Sequence, residues 1–358
     1  MPAPPTDGPR DDGRDVLVQP ASEALLAPER DGPVVEGDLV AAAATDTHAS
    51  TRALGLGAKL AMGWMGLMIV LAVFAPLLPV GDPEKTITLD PPCPKVQTLG
   101  RTLEVCEITG LGPFADDGTA PGYLLGGDGN GRSMLARLVY GTQSSLAVAT
   151  GAVLFGMLIG GSLGLIAGYF GGRVDTILTG FFNVLLSIPA IILALALVAF
   201  LSQQSAKGGQ ASGLPRVVIL ILAIGVVAVP LLGRITRASA LQWSQREFVL
   251  AAKAQGAKHA RIMVREVLPN VLPAMFSIAL LGIAVAIVAE GALAILGVGV
   301  QPPTASWGNI IAIDRSFLTS GSPHVVIEPA ILIFLTVLSL NYLGDVVRAR
   351  FDVREAGI

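Results

Sequence analysis

Ser144-Ser-Leu-Ala-Val-Ala-Thr-Gly-Ala-Val-Leu-Phe-Gly-Met-Leu-Ile-Gly-Gly-Ser-Leu-Gly-Leu-Ile-Ala-Gly168 carries no charged residue. At a rise of 1.5 Å per residue, about 20 apolar residues cross about 30 Å of hydrocarbon. This stretch is long enough to do so. Gly156, Gly160, Gly164 and Gly168 recur at four-residue spacing, with Gly151 and Gly161 nearby. Small residues at that period form a groove where a second helix can approach backbone to backbone. Static bundle packing and a moving pathway both use such a groove. Five other stretches are as apolar: 59–79, 176–201, 216–233, 271–297 and 325–345. A Lys or Arg at mid-span would cost about 2.5–3.5 kcal/mol, and none of the six has one there. The chain is 52% hydrophobic and 14% charged, against about 25% charged in soluble domains. The expectation is an all-α integral membrane protein with six transmembrane helices.

Charge is segregated along the chain. Residues 1–57 are rich in Pro, Asp, Ala and Gly, and hold Asp7, Asp11, Asp12, Asp15, Glu29 and Asp38. Such a stretch cannot bury enough apolar surface to offset its ordering entropy, so a disordered acidic tail is expected. The first apolar run starts only near Lys59, too late for a cleaved secretory signal. The division is a tail at 1–57, a transmembrane domain at 58–348 and a short tail at 349–358. Lys and Arg collect at Arg52–Lys59, Gly171–Arg173, 234–265 and Arg348–Arg354. The positive-inside rule makes these segments and both termini cytoplasmic. Segments 80–143, 202–215 and 298–324 then lie outside. Pro189 and Pro230 fall inside the third and fourth spans, where each is expected to kink its helix. Asp175 stands where it can cap the third helix. Pro269 and Pro273 occupy the first turns of the fifth span.

The 234–270 segment is too long for a connector. Phe248, Ala251, Ala252 and Gln255 fall at i, i+3, i+4 and i+7, a short helix with one small face. Gly256 ends it, and a second short helix is expected over Lys258–Val264, with Ile262 and Met263 apolar among charges. Seven Lys and Arg between 234 and 265 do not point to nucleic acid, because the block lies between two spans. A helix–Gly–helix on the membrane surface fits an interfacial anchor or a docking knob for a soluble partner equally well.

The loop resembles the coupling loop of ABC-importer permeases, which reads Glu-Ala-Ala, three residues, Gly, then Leu-Pro about eleven residues later. Ala251, Ala252, Gly256, Leu268 and Pro269 match. Leu250 stands in place of the family's glutamate, and Glu247 lies three residues earlier on nearly the same helical face. Gly126-Gly-Asp-Gly-Asn-Gly-Arg-Ser-Met-Leu-Ala-Arg-Leu-Val-Tyr-Gly141 is similar to the segment before the second span in oligopeptide and dipeptide permeases of the C type, with Ser133 replacing the usual Asp. Gly164-Leu-Ile-Ala-Gly-Tyr-Phe-Gly-Gly172, Leu186-Ser-Ile-Pro189, Glu290-Gly-Ala-Leu-Ala-Ile-Leu-Gly-Val-Gly-Val-Gln-Pro-Pro-Thr-Ala-Ser-Trp-Gly-Asn309 and Leu340-Asn-Tyr-Leu-Gly-Asp345 continue the series. The resemblance runs from about residue 59 to the C-terminus and implies the type I permease fold. It also implies a second homologous permease subunit, two ATP-binding subunits, an extracytoplasmic solute-binding protein and bacterial inner-membrane lipid around them. Nickel importers share these motifs, so nickel is the rival cargo to peptides.

Nothing in the chain forms a Gly-x4-Gly-Lys-Ser/Thr phosphate loop. No cofactor, metal site or catalytic cluster is expected; His48, His259 and His324 are scattered. An ion-coupled secondary transporter needs ionisable residues at the midplane, which the spans largely lack. Glu290 in the fifth span reads equally as a pathway group or as a partner for a neighbouring helix. Asn183 and Pro189 are weaker pathway candidates. Asn183, like Asn341, also suits helix–helix hydrogen bonding. Asp128-Gly-Asn-Gly lacks the spaced acids of a calcium loop. Cys93 and Cys106 share the outer segment, where a disulfide closing about 14 residues would contribute about 3 kcal/mol.

Overall fold

The computed structural model describes residues 55–86, 95–98, 101–104, 124–207, 214–319 and 322–351. The acidic tail at 1–54 and both cysteines lie outside the described residues. Eleven helices follow in order: α1 (Leu56–Phe74), α2 (Met134–Gly156), α3 (Ser162–Phe170), α4 (Gly172–Ser187), α5 (Ala190–Lys207), α6 (Arg216–Ser244), α7 (Glu247–Ala254), α8 (His259–Ile262), α9 (Leu268–Ile295), α10 (Trp307–Asp314) and α11 (His324–Phe351). Between α1 and α2 stands an antiparallel hairpin of β1 (Lys95–Thr98) and β2 (Arg101–Glu104), with Lys95 opposite Glu104 and Thr98 opposite Arg101.

Among the described residues, five stretches are long and apolar enough to cross a membrane unbroken: Leu56–Leu77, Met134–Phe170, Arg216–Ser244, His259–Ile295 and His324–Arg350. The expected third span is instead a bent pair, α4 and α5, turned by 88° at residues 188–189, the geometry of a broken span or of a re-entrant loop. Pro189 therefore stands at a break in that stretch. Pro230, by contrast, sits inside an uninterrupted α6. The difference lies in the surroundings: Ile188 is extended at a half-exposed bend, whereas Pro230 is buried.

Two boundaries differ from those expected. The second crossing begins at Met134, ten residues before its apolar run, because the buried Arg137 is neutralised by the segment that precedes it. The expected separate helix at Lys258–Val264 is the first part of the fifth crossing, since α8 passes through a π-turn at Met263–Val267 straight into α9.

The glycine groove is filled. A Cβ at Gly160 would meet the carbonyl oxygen of Val229, and one at Gly164 the carbonyl oxygen of Gly233. The second and fourth crossings touch backbone to backbone, as only glycine permits. Around this contact the core is small and apolar (Val148, Ala149, Ala152, Leu220, Ala223, Ile287). The larger apolar side chains point outward, with Leu60, Val73, Ile177, Phe276 and Phe334 all more than half exposed. A helix apolar all round is a membrane helix rather than a helix on a soluble surface.

Candidate functional site

Polar chemistry concentrates at the two ends of the bundle. One end, the loop face, carries the 234–270 segment. The other, the far face, carries residues 124–133 and 298–319.

At the loop face, α7 is rooted by Val249, which is fully buried, and by Ala252. These join Leu165, Tyr169, Ala240, Ile262, Val267, Val271 and Met275 in a separate apolar cluster, with Leu268 packed on its edge. Of the expected small face, Phe248, Ala251 and Gln255 are exposed together with Glu247 and Leu250, and Ala252 alone packs inward, beside Val249. Phe248 lies instead against Trp243. Gly256 adopts φ +78°. Its amide donates to Lys253 O (3.0 Å) and the Ala257 amide to Ala252 O (3.1 Å), the Schellman arrangement that closes a helix with a left-handed residue. Tyr169 Oη lies 3.0 Å from His259 Nδ1, and Lys253 Nζ stands over the Tyr169 ring. The knob is thereby tied to the second crossing at one side and to the fifth at the other. Pro269 is exposed at the knob's edge.

Just inside this face, Arg237 of α6 makes a two-pronged pair with Asp175 of α4, with Nη2 to Oδ2 at 2.6 Å. Asp175 is not the cap of α4, whose N-cap is Gly171. It is an interhelical anchor, which Thr179 also supports by donating to Oδ1 (3.1 Å). One turn away, Arg234 donates to Asn183 Oδ1.

At the far face, two networks of polar side chains are enclosed. Asp128 is fully buried. Its Oδ1 accepts from the amides of Asn130 (2.9 Å) and Arg132 (2.7 Å), and its Oδ2 from Arg132 Nε (2.8 Å) and Arg137 Nη1 (2.7 Å). In this turn the Asp128 carboxylate is thus occupied by two backbone amides and two guanidinium groups. Asp314 of α10 faces the same turn, where a Cβ at Gly129 would lie 2.6 Å from its Oδ1. Burial first, then the negative charge of Asp128, pushes the Asp314 carboxyl up to about 6, against the opposing pull of Arg132.

The second network surrounds Glu290, which is 1% exposed. Ser306 Oγ donates to Glu290 Oε1 (2.8 Å), and Ser145 and the Gly308 backbone also bond to this carboxylate. Ser145 Oγ in turn accepts from the Trp307 amide (3.1 Å). Ser306 and Asn309 form a reciprocal capping box at the start of α10, and Asn309 Nδ2 donates to Thr304 O (2.7 Å). The Glu290–Asn309 motif is therefore one folded unit, an external segment bound to the fifth crossing by a carboxylate. Arg216 closes its other edge, donating to Gly299 O (3.0 Å), Val298 O (2.8 Å) and Ser202 Oγ (2.6 Å).

The structure thus groups Glu247, Ala251, Ala252, Gly256, Leu268 and Pro269 at one surface. Asn183 and Pro189 are exposed along α4 and its break, while Glu290 is enclosed at the opposite end. Sequence reasoning missed Asp128, Arg137, Arg216, Arg234 and Asp314. Asp128 and Arg137 were legible only as members of a motif, while the partners of Arg216 and Arg234 come from other elements.

An apolar multi-pass bundle with an exposed helical knob at one face and a polar-locked segment at the other is built as a membrane-embedded subunit. The chain belongs to the family described as binding-protein-dependent transport system inner membrane component, which matches residues 160–356. It is 35% identical to the dipeptide transport system permease protein DppC of Alkalihalophilus pseudofirmus, over 79% of this chain and 81% of that protein. It is also 35% identical to the glutathione transport system permease protein GsiD of Pectobacterium atrosepticum, over 66% of this chain and 74% of the relative. Among solved structures, it is similar to an inward-facing MetNI methionine ABC transporter chain at 22% identity, with a TM-score of 0.48 over 60% of this chain and 97% of that one.

Proposed function

We propose that this chain is one of two permease subunits of an ABC importer that carries di- or oligopeptides into the cytoplasm. Two separate ATPases drive it through the α7 knob, and an extracytoplasmic binding protein feeds it. The observation that carries the reading is the knob: a short helix held at its root by Val249 and Ala252, with Glu247, Leu250, Ala251 and Gln255 left exposed. The names of the relatives, dipeptide and glutathione permeases, support a peptide cargo. The loop face is then cytoplasmic, in keeping with its Lys and Arg, as are both termini.

On this reading a partner ATPase grips the exposed side of α7. The push passes through Tyr169 and His259 into the second crossing, and along the continuous helix from His259 into the fifth. Thirty-one residues of that helix, about 46 Å at 1.5 Å each, separate His259 from Glu290. The rod ends in the Glu290–Ser306 contact, which we read as a lock on the external segment rather than as a cargo site. With Leu250 in the glutamate position, the grip is partly apolar, and Glu247 supplies the charge.

Cys93 and Cys106 form a disulfide on this reading.

Co-purification of the native complex tests the assignment. Recovery of a second permease and two ATPases, with ATP-dependent uptake of labelled dipeptide into proteoliposomes in the presence of the binding protein, is the expected result. Uptake of nickel but not peptide would replace the cargo, and accumulation driven by an ion gradient without ATPases would overturn the class.

A further inference from the structure

The apolar core is in two parts. The main part, around Val148, Ala149, Leu220 and Ile287, draws buried residues from α1, α2, α5, α6, α9, α10 and α11. The other, around Leu165, Ala240, Val267 and Met275, lies at the loop face and roots α7 through Val249 and Ala252. Among the described residues, only the second, fourth and fifth crossings supply buried side chains to both. Met157 is the side chain that packs against both.

Each of these three crossings is irregular where it passes from one part to the other. In the second, α2 gives way to α3 through a π-turn at Met157–Gly161, between Val153 of the main core and Leu165 of the loop-face cluster. In the fourth, Thr236 Oγ1 donates to Leu232 O (2.9 Å), between Leu232 of the main core and Ala240 of the loop-face cluster. A hydroxyl bonded back to residue i−4 competes with the helix ladder and bends it. In the fifth, Pro273 lies inside α9, two residues before Met275, and removes the amide that would bond to Pro269 O. The three sites meet: a Cβ at Gly161 would stand 2.7 Å from Met275 Cε, 3.6 Å from Met157 Cγ and 3.7 Å from Thr236 Oγ1. Alone, each irregularity is a local kink in one helix. Here they share one level, on the only described helices that link two separate cores. Methionines fill the space between them, and unbranched thioethers repack easily.

We infer that the loop-face cluster is a body of its own that rocks against the main core about this joint, so that displacement of α7 bends the second, fourth and fifth crossings at Met157–Gly161, Thr236 and Pro273. The use of the joint rests on the reading of α7 as the knob that the ATPases grip. Close-packed cores move as units rather than deform continuously. A single core would resist a push on α7, whereas two cores linked by weakened helices turn it into a rotation.

The test measures distances by pulsed electron paramagnetic resonance in the assembled permease–ATPase complex in nanodiscs, with bioorthogonal spin labels that leave Cys93 and Cys106 in place. One pair spans the joint, at the exposed Leu241 and Ile327; two control pairs stay on one side of it, Val70 with Ile327 and Leu241 with Val264. When a non-hydrolysable ATP analogue is added, the spanning distance is expected to change by about 2 Å, the scale of helix shifts in switching proteins, and the control distances to stay constant. Deletion of Leu158, which is 70% exposed, should abolish both this change and ATP-driven uptake of labelled dipeptide. A π-turn is an α-helix with one residue added, so removing one restores the ladder and leaves both flanks facing as before. Pro273→Ala supplies the missing amide without shortening the chain; it should reduce both readouts, and it decides the matter if the deletion fails to assemble. An unchanged spanning distance in a wild-type complex that takes up dipeptide, equal changes in the control pairs, or full movement in every variant that assembles overturns the joint. If the wild-type complex shows no ATP-driven uptake, the coupling reading falls and the joint is judged on the nucleotide-free complex alone. A spanning distribution broader than the controls and narrowed by Pro273→Ala then upholds it, and equal widths overturn it.

Discussion

The two faces of this bundle are built on opposite plans. At the far face, residues 298–319 are folded over buried polar groups: Glu290, Ser306, Asn309 and Asp314 are all at most 3% exposed. At the loop face, α7 is rooted by apolar contacts and keeps its polar and charged residues on the outside. A lock needs directional bonds that fail together, whereas a knob needs a firm root and an open surface. Damage at the two faces should therefore be distinguishable. Lesions at the far face should act on folding, and lesions at the loop face on coupling.

Glu290→Ala gives the largest expected effect on stability. It leaves the buried hydroxyls of Ser306 and Ser145 without their acceptor, at about 1–3 kcal/mol for each unsatisfied group. Folded yield after detergent extraction should fall, with Glu290→Gln intermediate. Equal yields would mean that the carboxylate is not a lock. Gly256→Val is next. A β-branched residue at φ +78° is strained by roughly 1–2 kcal/mol, in a space that is otherwise open. Insertion should be normal and ATP-driven uptake lost. Normal uptake would remove α7 from the coupling role.

Asp314→Asn sharpens the contrast through pH. Because the folded state raises this carboxyl to about 6, it binds its proton more tightly folded than unfolded. Wild-type stability should therefore be greatest below about pH 4 as far as this group is concerned, and be lost as pH rises through about 6. The Asn variant should lack that step, so its advantage in Tm over wild type should be larger at pH 7.5 than at pH 5. Identical pH profiles would refute the assignment. The smallest effect belongs to Tyr169→Phe, which removes one contact to His259 worth about 1 kcal/mol. It should lower the efficiency with which ATP turnover drives uptake while leaving folded yield unchanged.

Much of this architecture is legible in the chain because lipid imposes a simple rule on composition. Five of the six apolar runs became continuous crossings. The exception, at Pro189, was not legible because proline in a membrane helix is tolerated or not according to its neighbours, as Pro230 demonstrates. The start of the second crossing was hidden by Arg137, which an insertion rule excludes and Asp128 readmits. On α7 the helix was legible, but of its expected face only Ala252 packs inward, beside Val249. Small alanines hardly distinguish two adjacent faces, and Trp243 drew Phe248 outward. The Arg234–Asn183 pair needed the fold itself, since 51 residues separate its members.

The Asp128 turn has a consequence for how the chain is made. Asp128 and Arg137 are only nine residues apart, and Arg132 lies between them, so the carboxylate and both guanidinium groups leave the ribosome within a second or so of each other at about 5–20 residues per second. The second crossing can thus be delivered to the insertion machinery with Arg137 already paired to a carboxylate, without waiting for any later helix. Nascent chains stalled after residue 200 should integrate this segment with Asp128 present and let it slip from the bilayer with Asp128→Ala, a difference that a site-specific accessibility label would record.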